Sequence, residues 1–355
     1  MRDKTAAAVA SDGRAGAGVA MRVLDVVTGR SGRVRARSGW PVELAGTRLV
    51  EERDVRGFDT GMFIDAAYRQ ATINLAVGGV GGGRGLTVAE DTWRRWEDAV
   101  ARVERMVCTC TIDEAGAGAA GPRIATTFRA VGKAERRDLD RLATDMSLRS
   151  PALYDHAEAM GLAARPMSAA DVGSVVCRGL TGSSGSFDDL GRVRWESSTD
   201  QVVVSSPVLE PVGAGNGAVD GGVGPARRRC VALTADTSDP SVAGVIDQIM
   251  ADWENLDEVC GAALVRRTRF FRPYVVPEGT GENRATGHGR RWAVLTIVGT
   301  PAVDAVLRQV VDAVPEVGLK VRRRRGVQRV SVLSGVGVGV CGWQHTTGAD
   351  RIGRI

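Results

Sequence analysis

Three histidines in 355 residues leave this chain little imidazole chemistry. His156 follows Asp155, His288 sits in a glycine-rich stretch, and His345 lies near the carboxyl end. None pairs in sequence with an obvious nucleophile, and the nearest imitation of a G-x-S-x-G elbow is Gly182-Ser183-Ser184-Gly185. A catalytic triad is therefore not expected. The six cysteines (Cys108, Cys110, Cys177, Cys230, Cys260, Cys341) form no Cys-x-x-Cys pair and lie far from the histidines, which argues against a zinc site. Set in apolar runs such as Val175-Val176-Cys177, they read as buried thiols of a reducing cytosol. No D-x-D-x-D-G loop is present, and adjacent Asp188-Asp189 reads as a solvated turn. No apolar run approaches the ~18–20 residues of a membrane-spanning helix, and the first twenty residues carry charges rather than a secretory leader. The expectation is a soluble chain with no cofactor and no metal.

What is present is a composition of 43% hydrophobic and 25% charged residues, ordinary for a globular protein, with 46 glycines and only 5% aromatics. The length favours more than one domain. The net charge of +5 is uneven: between Gly261 and Val330 fourteen basic residues face five acidic ones. Such a surplus suits an anionic partner or a solvated basic face.

Along the chain, residues 1–20 read as a disordered tail. Residues 21–85 read as a small β-rich region (Met21–Val27, Thr47–Glu51, Thr72–Val77, with a short helix near Asp65–Arg69) ending in a Gly-rich linker. That linker, Gly78–Gly85, follows a strand and precedes a helix, but it lacks the Lys of a phosphate loop and breaks the G-x-G-x-x-G spacing at Arg84. Residues 86–210 read as an α+β domain. Its first helix is marked by Thr87, Glu90, Trp93, Trp96, Val100 and Val103, followed by strands Cys108–Ile112 and Ile124–Val131. A helical stretch over Ala134–Gly161 is expected to break near Ser150-Pro151. A helix capped by Ser168 follows a short extended run, and strands are expected at Val193–Ser197 and Val202–Ser206. Residues 211–225 read as a flexible loop, 226–340 as a second α+β domain, and 341–355 as a tail.

The second domain repeats a phrase. Asp239-Pro240 and the apolar positions Val242, Val245, Ile246, Ile249, Met250 and Trp253 recur 61 residues later as Thr300-Pro301 and Val303 to Val314, and the apolar run before them, Cys230–Leu233, recurs 62 residues later as Trp292–Leu295. Each proline sits in a first helical turn behind a cap. Strands are expected after each helix, at Ala262–Phe271 and at Leu319–Val321 with Val330–Leu333. The fold class expected is α+β: two repeated βαβ-type, ferredoxin-like units with helices on one face of a mostly antiparallel sheet, plus the small β-rich region.

The candidate contact residues are the arginines of two extended runs: Arg266, Arg267, Arg269 and Arg272, and Arg322, Arg323, Arg324 and Arg325. In strands only alternate members point outward. The outward half suits a protein partner, an anion or an anionic membrane surface. Phe270 among them suits stacking on a nucleic-acid base, although the aromatic pattern of sheet-type RNA-binding modules is absent.

Three stretches carry a family resemblance. Gly161-Leu162-Ala163-Ala164-Arg165-Pro166-Met167-Ser168-Ala169-Ala170-Asp171-Val172 resembles a segment of EccE-type components of actinobacterial type VII secretion systems. Val193-Arg194-Trp195 falls where that family often has a tryptophan. Gly318–Arg323, Arg325–Gln328 and Gly335-Val336-Gly337 resemble its closing pattern, which a related conjugation-like membrane protein family shares. The family begins with transmembrane helices that this sequence does not show, and Leu333-Ser334 stands where its closing pattern has Leu-Pro. The resemblance implies a non-enzymatic structural and interaction component that docks to membrane subunits and a secretion ATPase. It places the protein in the cytoplasm, peripheral to the inner face of the cell membrane. Alternatives are a nucleic-acid-binding module using the Arg-rich strands and an enzyme with an unrecognised site.

Overall fold

The computed structural model describes residues 44, 46–78, 90–116, 119–132, 138–182, 185–197, 202–206, 226–235, 240–252, 264–273, 289–300, 303, 321–322 and 328–339. They form one antiparallel twelve-stranded sheet with helices, so the α+β expectation holds. In chain order the elements are β1 (Thr47–Arg53), β2 (Asp59–Asp65), β3 (Gln70–Val77), α1 (Glu90–Val100), β4 (Met106–Ala115), β5 (Arg123–Arg129), α2 (Leu139–Ala159), β6 (Ala164–Pro166) and α3 (Ala169–Thr181). There follow a 3₁₀ turn (Phe187–Arg192), β7 (Arg194–Ser197), β8 (Val202–Ser206), β9 (Ala226–Ala235), α4 (Pro240–Ala251), β10 (Leu264–Pro273), β11 (Gly289–Gly299), β12 (Val321–Arg322) and α5 (Gln328–Ser334).

The sheet runs β1-β2-β3-β5-β4-β10-β11-β9-β8-β7. Read outward from the β4–β10 seam, each side has the same order: β4-β5-β3-β2-β1 and β10-β11-β9-β8-β7. Beyond the end of β2, β6 pairs the remaining edge of β3; beyond the end of β8, β12 does the same for β9. The structural correspondence is thus half to half, not between the two phrases 61 residues apart. In the first phrase, α4 stands as expected between β9 and β10. Most of the second phrase's helix lies outside the described residues. The boundaries drawn at 85 and 210 fall within one continuous sheet.

Helices cover both faces, which corrects the expectation of one. Alternation makes each strand apolar on two sides: Met62 and Ile64 of β2 point one way and Phe63 the other. On one face α1 and α2 bury Trp93, Trp96, Leu142, Met146 and Leu153 against Ile73, Ile124 and Phe128; α4 packs on β4 and β10 of that same face through Ile246 and Ile249. On the other face α3 and α5 bury Val172, Val176, Leu180, Val332 and Leu333 against Phe63, Ile112, Ala125, Leu264 and Phe270. Each fully buried large side chain contributes roughly 1.5–3 kcal/mol.

Three local expectations change. Residues 66–69 form a turn rather than a helix, because the Asp65 carboxylate accepts the N–H groups of Ala67 and Tyr68. Burial raises the pKa of that carboxyl, against the pull of those bonds. Pro151 does not break α2, which is continuous from Leu139 to Ala159. The carbonyl orphaned by the missing proline N–H belongs to Ser147, and the Ser150 hydroxyl donates to it at 3.0 Å. Val330–Leu333, expected as a strand, lies in α5. That segment sits over the sheet's face, where no ladder partner exists, so its backbone must satisfy itself.

Candidate functional site

The candidate arginines meet different fates. β10 lies at the centre of the sheet, so consecutive residues enter opposite layers. Arg267 and Arg269 turn to the α1/α4 face, where both reach Asp113 Oδ2, at 3.0 and 3.1 Å, and Arg267 also pairs with Asp247 of α4. Arg272 is exposed near the end of β10. Arg322 pairs through its backbone with Thr234, while Arg323, Arg324 and Arg325 lie outside the described residues. Phe270 is 3% exposed and stacks on Trp292, with ring centroids 4.9 Å apart and planes 2° from parallel. Its face is therefore used internally rather than offered to a base.

Arg266 is the correction with most consequence: it is fully buried at the seam and contacts no outer surface. Its Nη1 donates to Gly179 O at 2.6 Å and its Nη2 reaches Val332 O at 3.5 Å, so it holds a C-terminal carbonyl of α3 and one of α5. A side chain at Gly179 would occupy the guanidinium's place. Nearby lies Glu114 of β4, its side chain fully buried. Arg123 of β5 donates to Glu114 Oε1 at 2.8 Å. Arg178 of α3 comes within 3.7 Å of Glu114 Oε2, and Arg266 within 4.0 Å of Oε1. Burial lowers the pKa of Arg266 to about 10, with Glu114 opposing the fall and Arg123 adding to it. Burial lowers that of Arg178 as well.

Above this cluster runs a strap formed by α5 and Gly335-Val336-Gly337-Val338-Gly339. At its start the Gln328 amide grips both backbone groups of Ala232, at 2.9 and 3.0 Å. This side chain fills the stretch of the β9 edge between the end of β8 and the start of β12. Thr268 donates to Gly335 O at 2.7 Å and Asn74 to Gly337 O at 3.1 Å. Gly339 then lies against Thr72. The strap thus crosses from β9, over the seam, to β3. Gly337 (φ +80°) has to be glycine twice over: its conformation is left-handed, and a Cβ would fall 2.8 Å from Asn74 Oδ1.

Sequence reasoning found Arg266 but missed Glu114, Arg123 and Arg178. A signal existed, because Glu114 and Arg123 continue the inward alternation of Ile112 and Ala125. Of the enzyme candidates, His156 is exposed on α2 and Cys177 is buried, its thiol raised by burial. Asp189 accepts from the Ser186 N–H at 2.8 Å, which holds its carboxyl low and caps the 3₁₀ turn. Cys108, Cys110, Cys177 and Cys230 are buried. Among the described residues no helix is long and apolar enough to cross a membrane.

No family model matches the chain, and a search of the curated proteins returns no match.

Proposed function

We propose that this chain is a non-enzymatic interaction component of an EccE-like secretion apparatus, acting at the cytoplasmic face of a membrane and docking to membrane subunits and a secretion ATPase. The observation that supports this reading is where the family-like stretches fall. Gly161–Val172 forms β6, the Ser168 cap and the first turn of α3; Trp195 lies in β7; Gly335–Gly337 is the strap over the seam. Each of these stretches is held by strand pairing, a side-chain cap or hydrogen bonds to the sheet, as a scaffold would require. Within the same reading, each half is a ferredoxin-like unit preceded by a hairpin: the first is β3-α1-β4-β5-α2-β6, and the described elements of the second, β9-α4-β10-β11 and β12, follow the same order.

The test is affinity purification of the tagged chain from the native membrane fraction, followed by identification of what is retained. Recovery of a secretion ATPase or its membrane subunits, lost when the strap is disrupted by Gly337→Val, supports the reading. Recovery of neither overturns it.

A further inference from the structure

We propose that the seam holds a small inorganic anion, bound between Arg123, Arg178 and Arg266 beneath the strap. This inference stands apart from the scaffold reading.

Three guanidiniums converge on a single carboxylate, Glu114, leaving two positive charges uncompensated among the described residues. Asp113, the neighbouring acid on β4, is turned to the opposite face, where it holds Arg267 and Arg269. Backbone carbonyls of Gly179 and Val332 orient Arg266 but do not neutralise it. Burying a charge without a counter-charge is strongly unfavourable, so the site as built is incomplete.

Buried Nε and Nη1 of Arg123, Nε of Arg178 and Nε of Arg266 have no partner. Arg123 and Arg266 are 1% and 0% exposed, so bulk water does not serve them. The Thr296 hydroxyl is also buried without a partner. A Cβ built on Gly335 would lie 3.3 Å from that hydroxyl and 3.5 Å from Arg266 Nε. No side chain of residue 335 intrudes between these two donors. Guanidinium forks are suited to such an anion because each can present two donors in one plane. Arg178, whose side chain is 18% exposed, marks the solvent side of the cluster. A water molecule would satisfy donors there but leave both charges, which is why an anion is inferred.

The experiment uses the full chain at fixed pH and ionic strength, exchanging gluconate for chloride in one arm and for inorganic phosphate in the other. The melting temperature is expected to rise with the logarithm of chloride or of phosphate concentration, and the arm that responds identifies the anion. Arg178→Met, at the rim, is expected to fold and to weaken the response about tenfold in concentration. Chloride-35 NMR of the unsubstituted chain supplies a readout independent of any variant: broadening that phosphate or Arg178→Met abolishes supports the site. Equal melting temperatures in all three salts, or a response unchanged in Arg178→Met, overturns the proposal.

Discussion

Arg266 and Arg267 are neighbours on one strand, yet the two faces of the sheet give them opposite circumstances. Arg267 shares Asp113 with Arg269, and all three side chains retain 13–17% exposure. Arg266 has none, and its nearest carboxylate is also claimed by Arg123 and Arg178. On the α1/α4 face, charge lies at the margin of the layer and is matched locally. On the α3/α5 face it lies inside the layer, under a strap that must be glycine-rich to fit. Removing a partner from a buried cluster leaves an uncompensated charge, whereas a part-exposed pair loses little to solvent. The same residue type thus serves as surface electrostatics on one face and as a fixed structural element on the other.

Glu114→Gln breaks this comparison hardest. It removes the cluster's carboxylate and is expected to cost about 3–5 kcal/mol in urea unfolding. Gly337→Ala attacks the strap without touching charge. The left-handed φ costs an L-residue roughly 1–2 kcal/mol, and crowding against Asn74 raises the expected loss to about 2–4 kcal/mol. Asp113→Asn, on the other face, is expected to cost about 1 kcal/mol, and its effect should shrink in high salt. If Asp113→Asn costs as much as Glu114→Gln, the distinction between the faces fails.

The smallest effect is at Asp189. Its folded carboxyl is held below the usual carboxylate range by Ser186, so the stability it contributes is present above the unfolded value and lost as pH falls through the lowered one. Asp189→Asn should flatten that part of the acid limb in a pH series of melting temperatures, with a small loss at neutral pH that disappears below the lowered value.

Periodicity and punctuation made much of the frame legible. β4, β5, α3, β7, β8 and α4 stand close to where alternation, the Ser168 cap and Pro240 place them. Three kinds of information were out of reach. β2 carries Asp-Thr-Gly at its start, which reads as a turn; in the fold Gly61 is needed because a Cβ would fall 2.6 Å from the backbone of Ala169. The valines of α5 favour a strand in isolation, and only its place over the sheet face makes it helical. The half-to-half correspondence left one faint trace, Gly161-Leu162 and Arg165 recurring as Gly318-Leu319 and Arg322 around β6 and β12. The louder 61-residue phrase hid it. The site was half legible: Arg266 stood out in an arginine run, while Glu114 and Arg123 looked like ordinary strand-end charges.

The strap and the buried cluster lock the β4–β10 seam, so that the two halves behave as one sheet. Native-state hydrogen exchange of the β4 and β10 amides, from Thr109 to Ile112 and from Thr268 to Phe271, tests it most directly in the unsubstituted chain and in Gly337→Ala. These amides are expected to exchange only with global unfolding, and the substitution to lower their protection more than that of β2. Seam amides as protected in Gly337→Ala as in the unsubstituted chain, with the loss confined to the strap, would contradict it.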